Sequence, residues 1–116
     1  MLRFAAPVLA AALSVAYLIL GVMPHPPAPV GRVPDTIGHG AAYSVLAAAA
    51  AESARTFGAG RTAALIGLGW AFGHGALLEA LQASAPPRRA ELKDLLADLL
   101  GGGLGVALWR AVRRPR

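Results

Sequence analysis

Apolar residues along this chain gather into long runs, separated by short stretches rich in proline, glycine and arginine. The first run, Phe4 to Met23, is twenty residues without a charge. At ~1.5 Å per residue, a helix of that length spans the ~30 Å of a hydrocarbon core. A secretory signal would carry a shorter apolar region, ~7–15 residues, closed by a small-residue cleavage site. This run instead ends in Met23-Pro24-His25-Pro26-Pro27 and reads as a retained transmembrane helix. Pro7 sits in its first turn, where the missing N–H does little harm.

Five prolines between Pro24 and Pro34 exclude helix and predict an extended loop. Asp35 is a good N-cap residue directly after Pro34, so a second helix is expected over 35–51, short and alanine-rich. Glu52 to Arg61 reads as a polar connection and 62–83 as a third helix. Ser84 to Arg89, with Pro86-Pro87, reads as a turn. A fourth helix follows over 91–109, then a tail with four arginines. The pattern predicts an all-α fold: a membrane bundle of four transmembrane helices over 4–23, 35–51, 62–83 and 91–109. It forms one domain, 1–116, without internal repeats.

Composition supports the membrane class. Charged residues are 15% of the chain, against about 25% in soluble proteins, too few to cover the large surface of a domain this small. With 56% apolar residues the chain is also too hydrophobic for disorder. The net charge of +5 comes from short basic clusters between apolar runs, not from a basic face interleaved with aromatics. That argues against nucleic acid and for a lipid bilayer as partner. The absence of cysteine excludes disulfides and thiolate chemistry. Alanine and glycine supply 41 of 116 residues, so the helices are expected to pack by close backbone approach, and a homo-oligomer is compatible with so little bulk.

In a four-span arrangement the two termini and the middle loop share one side and hold seven of the eleven basic residues. The positive-inside rule then places both termini in the cytoplasm, with Trp109 as an interfacial anchor. Arg88, Arg89 and Lys93 lie on the opposite, outer side, against the bias.

Ionisable residues inside apolar helices are functional candidates, because burying them in lipid costs several kcal/mol. Asp35, His39 and Tyr43 recur at i, i+4, i+8. They read either as a carboxylate-oriented imidazole lining a pocket, or as an N-cap followed by headgroup-level residues. Glu79 and Gln82 share a face with Gly75, where a neighbouring helix can come close; they read as a site or as a polar clamp between helices. His74 falls on another face and reads as a structural or interfacial histidine. Asp94 and Asp98 are like charges at i, i+4 that need compensation, expected from Arg88 rather than from a metal ion. Gly101 and Gly105 form a GxxxG packing signal. Arg88 and Glu79 are expected to pair across the turn. Threaded through four helices, Asp35, His39, Glu79, Gln82, Arg88, Asp94 and Asp98 all fall near the outer interface, and the cytoplasmic halves carry no such stripe.

The combined pattern, Asp35-x3-His39-x3-Tyr43, Glu79-x2-Gln82, Arg88 and Asp94-x3-Asp98-x2-Gly101-x3-Gly105, resembles the VanZ-like family of small bacterial membrane proteins. The resemblance covers residues 35–105. It departs at Thr36, where the family often has lysine, at Glu91, in the place of a serine or threonine, and at Asp98, where asparagine is usual. The resemblance implies a multi-pass protein of the bacterial inner membrane, in a family named for a member associated with low-level resistance to the glycopeptide teicoplanin. It brings no settled chemistry and no cofactor. The expected function is binding of a lipid-linked, cell-envelope or glycopeptide ligand at the outer leaflet, by Asp35, His39, Tyr43, Glu79, Gln82, Arg88, Asp94 and Asp98. The alternatives are a membrane-embedded hydrolase or transferase on a lipid-linked substrate, in which His39, Glu79, Asp94 and Asp98 could hold a divalent metal, and a purely structural or assembly role.

Overall fold

The structure is a computed structural model that describes residues 4–22, 35–83 and 92–113. Four helices make up nearly all of these residues: α1 (Ala5–Val22), α2 (Asp35–Thr56), α3 (Ala63–Ala83) and α4 (Leu92–Arg113), with a 3-10 turn at Gly60–Thr62. The expected loop over 24–34, the turn over 84–89 and the end of the tail lie outside the described residues.

Two helices run further than the pattern predicts. α2 continues through Glu52 to Thr56, where the sequence suggested a polar connection. Its last turn supplies its own support. Ser53 Oγ and Thr56 Oγ1 donate to the carbonyls of Ala49 and Glu52, four residues back, and Arg55 pairs with Glu52 one turn earlier. The helix stops at Gly58, whose φ of 92° is a left-handed conformation that glycine adopts without strain. Ala59 N–H reaches back to the Ala54 carbonyl and Gly58 N–H to the Arg55 carbonyl, the paired bonds of a Schellman C-cap. α4 likewise passes Trp109 and ends at Arg113.

The residue pairs across the interfaces fix the topology. Gly101 and Gly105 of α4 lie against Gly40 and Ser44 of α2, so those two helices run parallel. Gly67 of α3 faces Ala47 and Ala51, while His74 meets Tyr43, so α3 runs the opposite way. Ser14 and Gly21 of α1 meet His74 and Gln82, so α1 runs with α3. The result is an up-down-up-down bundle with α2 and α3 as its central pair.

Glycine and alanine set the spacing. A Cβ at Gly105 would run into the Ser44 carbonyl, one at Gly101 into the Gly40 carbonyl, and one at Gly67 would lie 2.6 Å from the Ala47 carbonyl oxygen. The GxxxG of α4 is therefore a real seam, with backbone on backbone. The apolar core beneath it is Tyr43, Leu46, Ala47, Ala51, Ala64, Ala71 and Val106.

The surface inverts the order of a water-soluble domain. Leu96, Leu100, Leu104 and Leu108 form an exposed i, i+4 ridge on α4, joined by Val8, Val15 and Ile19 on α1 and Leu65 and Leu77 on α3. His74, Gln82 and Asp98 are buried inside. Three helical stretches, Ala5–Val22, Gly60–Ala83 and Leu95–Arg113, are long and apolar enough to cross a membrane. Among the described residues, these lengths and compositions are those of a helical membrane protein. α2 is the less apolar helix, and the other three pack on it.

Candidate functional site

The polar side chains meet where α2 begins, α3 ends and α4 begins. Asp98 is completely buried, in the space left by the missing side chain of Gly75 on α3, whose added Cβ would strike Asp98 Oδ2. His39 Nδ1 lies 2.7 Å from Asp98 Oδ1. An ionised carboxylate only accepts, so Nδ1 donates, and in the neutral ring Nε2 keeps the lone pair. The carboxylate that orients His39 here is Asp98 of α4, whereas the expected orienter was Asp35, whose side chain lies outside the described residues. Asp98 Oδ2, the second oxygen, has no hydrogen-bond partner among the described residues. Glu79 brings a second carboxylate from α3. One donor atom each from His39, Glu79 and Asp98 lies within 4.8 Å of the others, a spacing that could hold a metal ion.

Tyr43, one turn after His39, stacks on its ring with centroids 6.0 Å apart. Its hydroxyl lies 2.6 Å from His74 Nδ1, and His74 Nε2 lies 2.7 Å from the Ser14 carbonyl of α1. A carbonyl only accepts, so Nε2 carries the proton; the neutral ring then accepts at Nδ1 and Tyr43 donates. Trp70 Nε1–H donates to Ser14 Oγ at 3.0 Å, and Ser14 Oγ donates to the Ala10 carbonyl at 2.7 Å. Gln82 is buried and donates through Nε2 to the Gly21 carbonyl at 2.7 Å, with Oε1 unpartnered among the described residues. A polar seam thus runs from Asp98 through His39 and Tyr43 to His74 and α1.

His39, Tyr43, Glu79 and Asp98 come together from three helices, whereas Gln82 spends its amide on α1. Asp98 finds its partner in His39, where the sequence pointed to Arg88; Arg88 and the side chains of Asp35 and Asp94 lie outside the described residues. The expected pairing of Glu79 with Arg88 falls there too. Sequence reasoning missed His74 as a member of the seam, along with Ser14 and Trp70. The signal was present: Ser14 and Tyr17 are the polar residues of the first apolar run, and Trp70 and His74 stand one turn apart on α3.

The opposite end of the bundle carries a polar cluster of its own, built from the expected polar connection and the arginine-rich end of α4. Glu52 accepts from Arg55 Nε and Nη2 at 3.1 and 2.7 Å and from Trp109 Nε1 at 2.7 Å, and it pairs with Arg113. The Arg55 hydrogen bond above all holds the Glu52 carboxyl at about 2; burial opposes it as the next largest effect, and the Trp109 bond and the Arg113 charge add to the lowering. This cluster ties the ends of α2 and α4. A scan against protein-family models, a search of curated proteins and a search of solved structures each find no match for the chain.

Proposed function

We propose that this chain is a four-span protein of the bacterial inner membrane, VanZ-like in its polar pattern, with both termini in the cytoplasm. Its role is to bind the polar end of a lipid-linked or other cell-envelope ligand at the outer end of the bundle. The observation that carries this reading is Asp98. A fully buried carboxylate in an apolar bundle, with one oxygen on His39 and the other without a partner among the described residues, is costly unless a further polar group completes it. Glycine at position 75 makes the room that such a carboxylate needs. A purely structural clamp would use both carboxylate oxygens within the bundle.

The Asp98–His39 pair supports a second reading, a membrane-embedded hydrolase or transferase in which His39 acts as an oriented base. Resistance to a glycopeptide would follow from either reading if the ligand were a cell-wall lipid precursor.

Native mass spectrometry of the protein released from membranes in gentle detergent tests the binding reading. The wild type is expected to carry a lipid-derived adduct that Asp98→Asn and Glu79→Gln lose at unchanged membrane abundance. Loss of abundance in parallel with the adduct favours the structural role and overturns the proposal. The topology is tested separately by single cysteines, clean reporters in a chain that has none. Positions 36 and 85 are expected to react with an impermeant maleimide in intact cells, while 56 and the tail stay protected. The reverse pattern would turn the site toward the cytoplasm.

A further inference from the structure

We propose that His39, Glu79 and Asp98 form a binding site for one divalent transition-metal ion, with Zn2+ the best match to the donor set. The inference deepens the ligand-binding reading and rests on the same site: the ion is what would take hold of the anionic part of the ligand.

Three helices contribute one ligand each: α3 and α4 a carboxylate apiece, and α2 the His39 imidazole, which on binding shifts its proton to Nε2 so that Nδ1, the nitrogen facing Asp98, ligates and the ion replaces the Nδ1–H hydrogen bond to Oδ1. Two donors at ~2.1 Å from a common ion are at most ~4.2 Å apart. Donor atoms already within 4.8 Å of one another need only a small closure to reach that geometry. One nitrogen and two oxygens are a donor set for zinc or manganese, whereas calcium and magnesium take oxygen alone. Three protein ligands leave a zinc ion a fourth position, the arrangement of sites that bind or activate an exogenous oxygen.

The second observation is the oxygen that the protein does not use. Asp98 is wholly buried, its Oδ1 is on His39, and its Oδ2 is turned toward the α3 face that carries Gly75 and Glu79. That oxygen has no hydrogen-bond partner among the described residues. The Tyr43 ring, itself fixed by its bond to His74, stacks on the imidazole and restricts its rotation.

The experiment uses the full chain in detergent, stripped by chelator, loaded with Zn2+ or with Co2+ as a spectroscopic probe, and dialysed. We expect close to one ion per chain by elemental mass spectrometry, visible Co2+ absorption of a low-coordinate site, and a higher Tm with metal. His39→Gln, Glu79→Gln and Asp98→Asn should each weaken retention at least tenfold while helicity is preserved, and Glu52→Gln at the far end should not. Less than a tenth of an ion per wild-type chain, or equal retention by wild type and a folded Asp98→Asn variant, overturns the proposal. If the substituted chains do not fold, the Co2+ spectrum of the wild type decides: octahedral aqueous-type absorption with no rise in Tm refutes the site. Metal loading is measured without lipid and lipid retention after chelation. A lipid adduct that survives complete removal of metal sinks the metal site and leaves the binding reading. Stoichiometric metal with no lipid adduct does the opposite.

Discussion

Gly105→Ala is expected to destabilise the bundle by ~1–3 kcal/mol, the range for adding a methyl to a packed interior, whereas Gly103→Ala on the same helix should not. The new Cβ at 105 would lie 2.7 Å from the Ser44 carbonyl carbon and 2.8 Å from its Cα, where ordinary contact begins at 3.4 Å. Backbone cannot rotate aside as a side chain can, so α4 must retreat from α2 by more than half an ångström. A gap of that size forfeits a quarter to a half of each dispersion contact along the seam. At Gly103 a Cβ meets nothing within 4 Å, and replacing a glycine within a helix gains up to ~1 kcal/mol. The same chemical change two residues apart thus has opposite signs. Gly101→Ala should behave like Gly105→Ala, and the double variant should lose less than the sum, because one retreat relieves both clashes. Thermal unfolding in detergent, followed by circular dichroism, reads all four proteins. The retreat also pulls Asp98 away from His39, next to Gly40 on the facing helix, so ligand or metal retention should fall with stability in the three destabilised variants. Equal shifts for Gly103→Ala and Gly105→Ala would show that the seam is not closed on backbone and would sink the reasoning.

Tyr43→Phe leaves a buried imidazole nitrogen of His74 without its donor and should cost ~1–3 kcal/mol, against a smaller loss for Trp70→Phe, whose ring is half exposed; equal losses would show that the Tyr43–His74 bond is not formed. Glu52 titrates lower in the folded protein than its usual 4.5, so its pairing stabilises the fold above that value and is lost as pH falls toward 2. Glu52→Gln should therefore lower Tm at neutral pH and flatten the acid side of the Tm profile between those limits, and an unchanged profile would refute the pairing with Arg55, Trp109 and Arg113.

The helices, their order and most of the site were legible because each rests on local periodicity. The i, i+4 steps of His39 and Tyr43, and the i, i+3 step of Glu79 and Gln82, predict shared faces whatever the tertiary arrangement. GxxxG at 101–105 pointed to a close seam, and the seam is there; its partner, Gly40-x3-Ser44, has the same small-residue spacing, which the reading of α2 did not single out. What escaped was pairing at long range. His39 sits beside Asp98, 59 positions away, and nothing in the spacing prefers that carboxylate over another. His74 was judged by its face on α3 alone; α2 and α1 reach it from two directions, which only the packing reveals. The helix ends were misjudged because charge was read as loop, although Gly58, two residues past Thr56, has the form of a C-cap signal.

The place of α2 at the centre of the bundle has a consequence for biogenesis. On the proposed topology it is a span that its own sequence would hardly partition into lipid, since Asp35, His39, Tyr43 and Ser44 all weigh against entry. Its neighbours supply what it lacks: Gly67 of α3 and the glycine pair of α4 offer it backbone in place of hydrocarbon. Only a short connection through Gly58 and Gly60 separates α2 from α3, so the two can leave the translocation channel as a helical hairpin, with the apolar partner carrying the polar one. The polar site would then be created at the moment of insertion, closed off from lipid before α4 arrives to deliver Asp98.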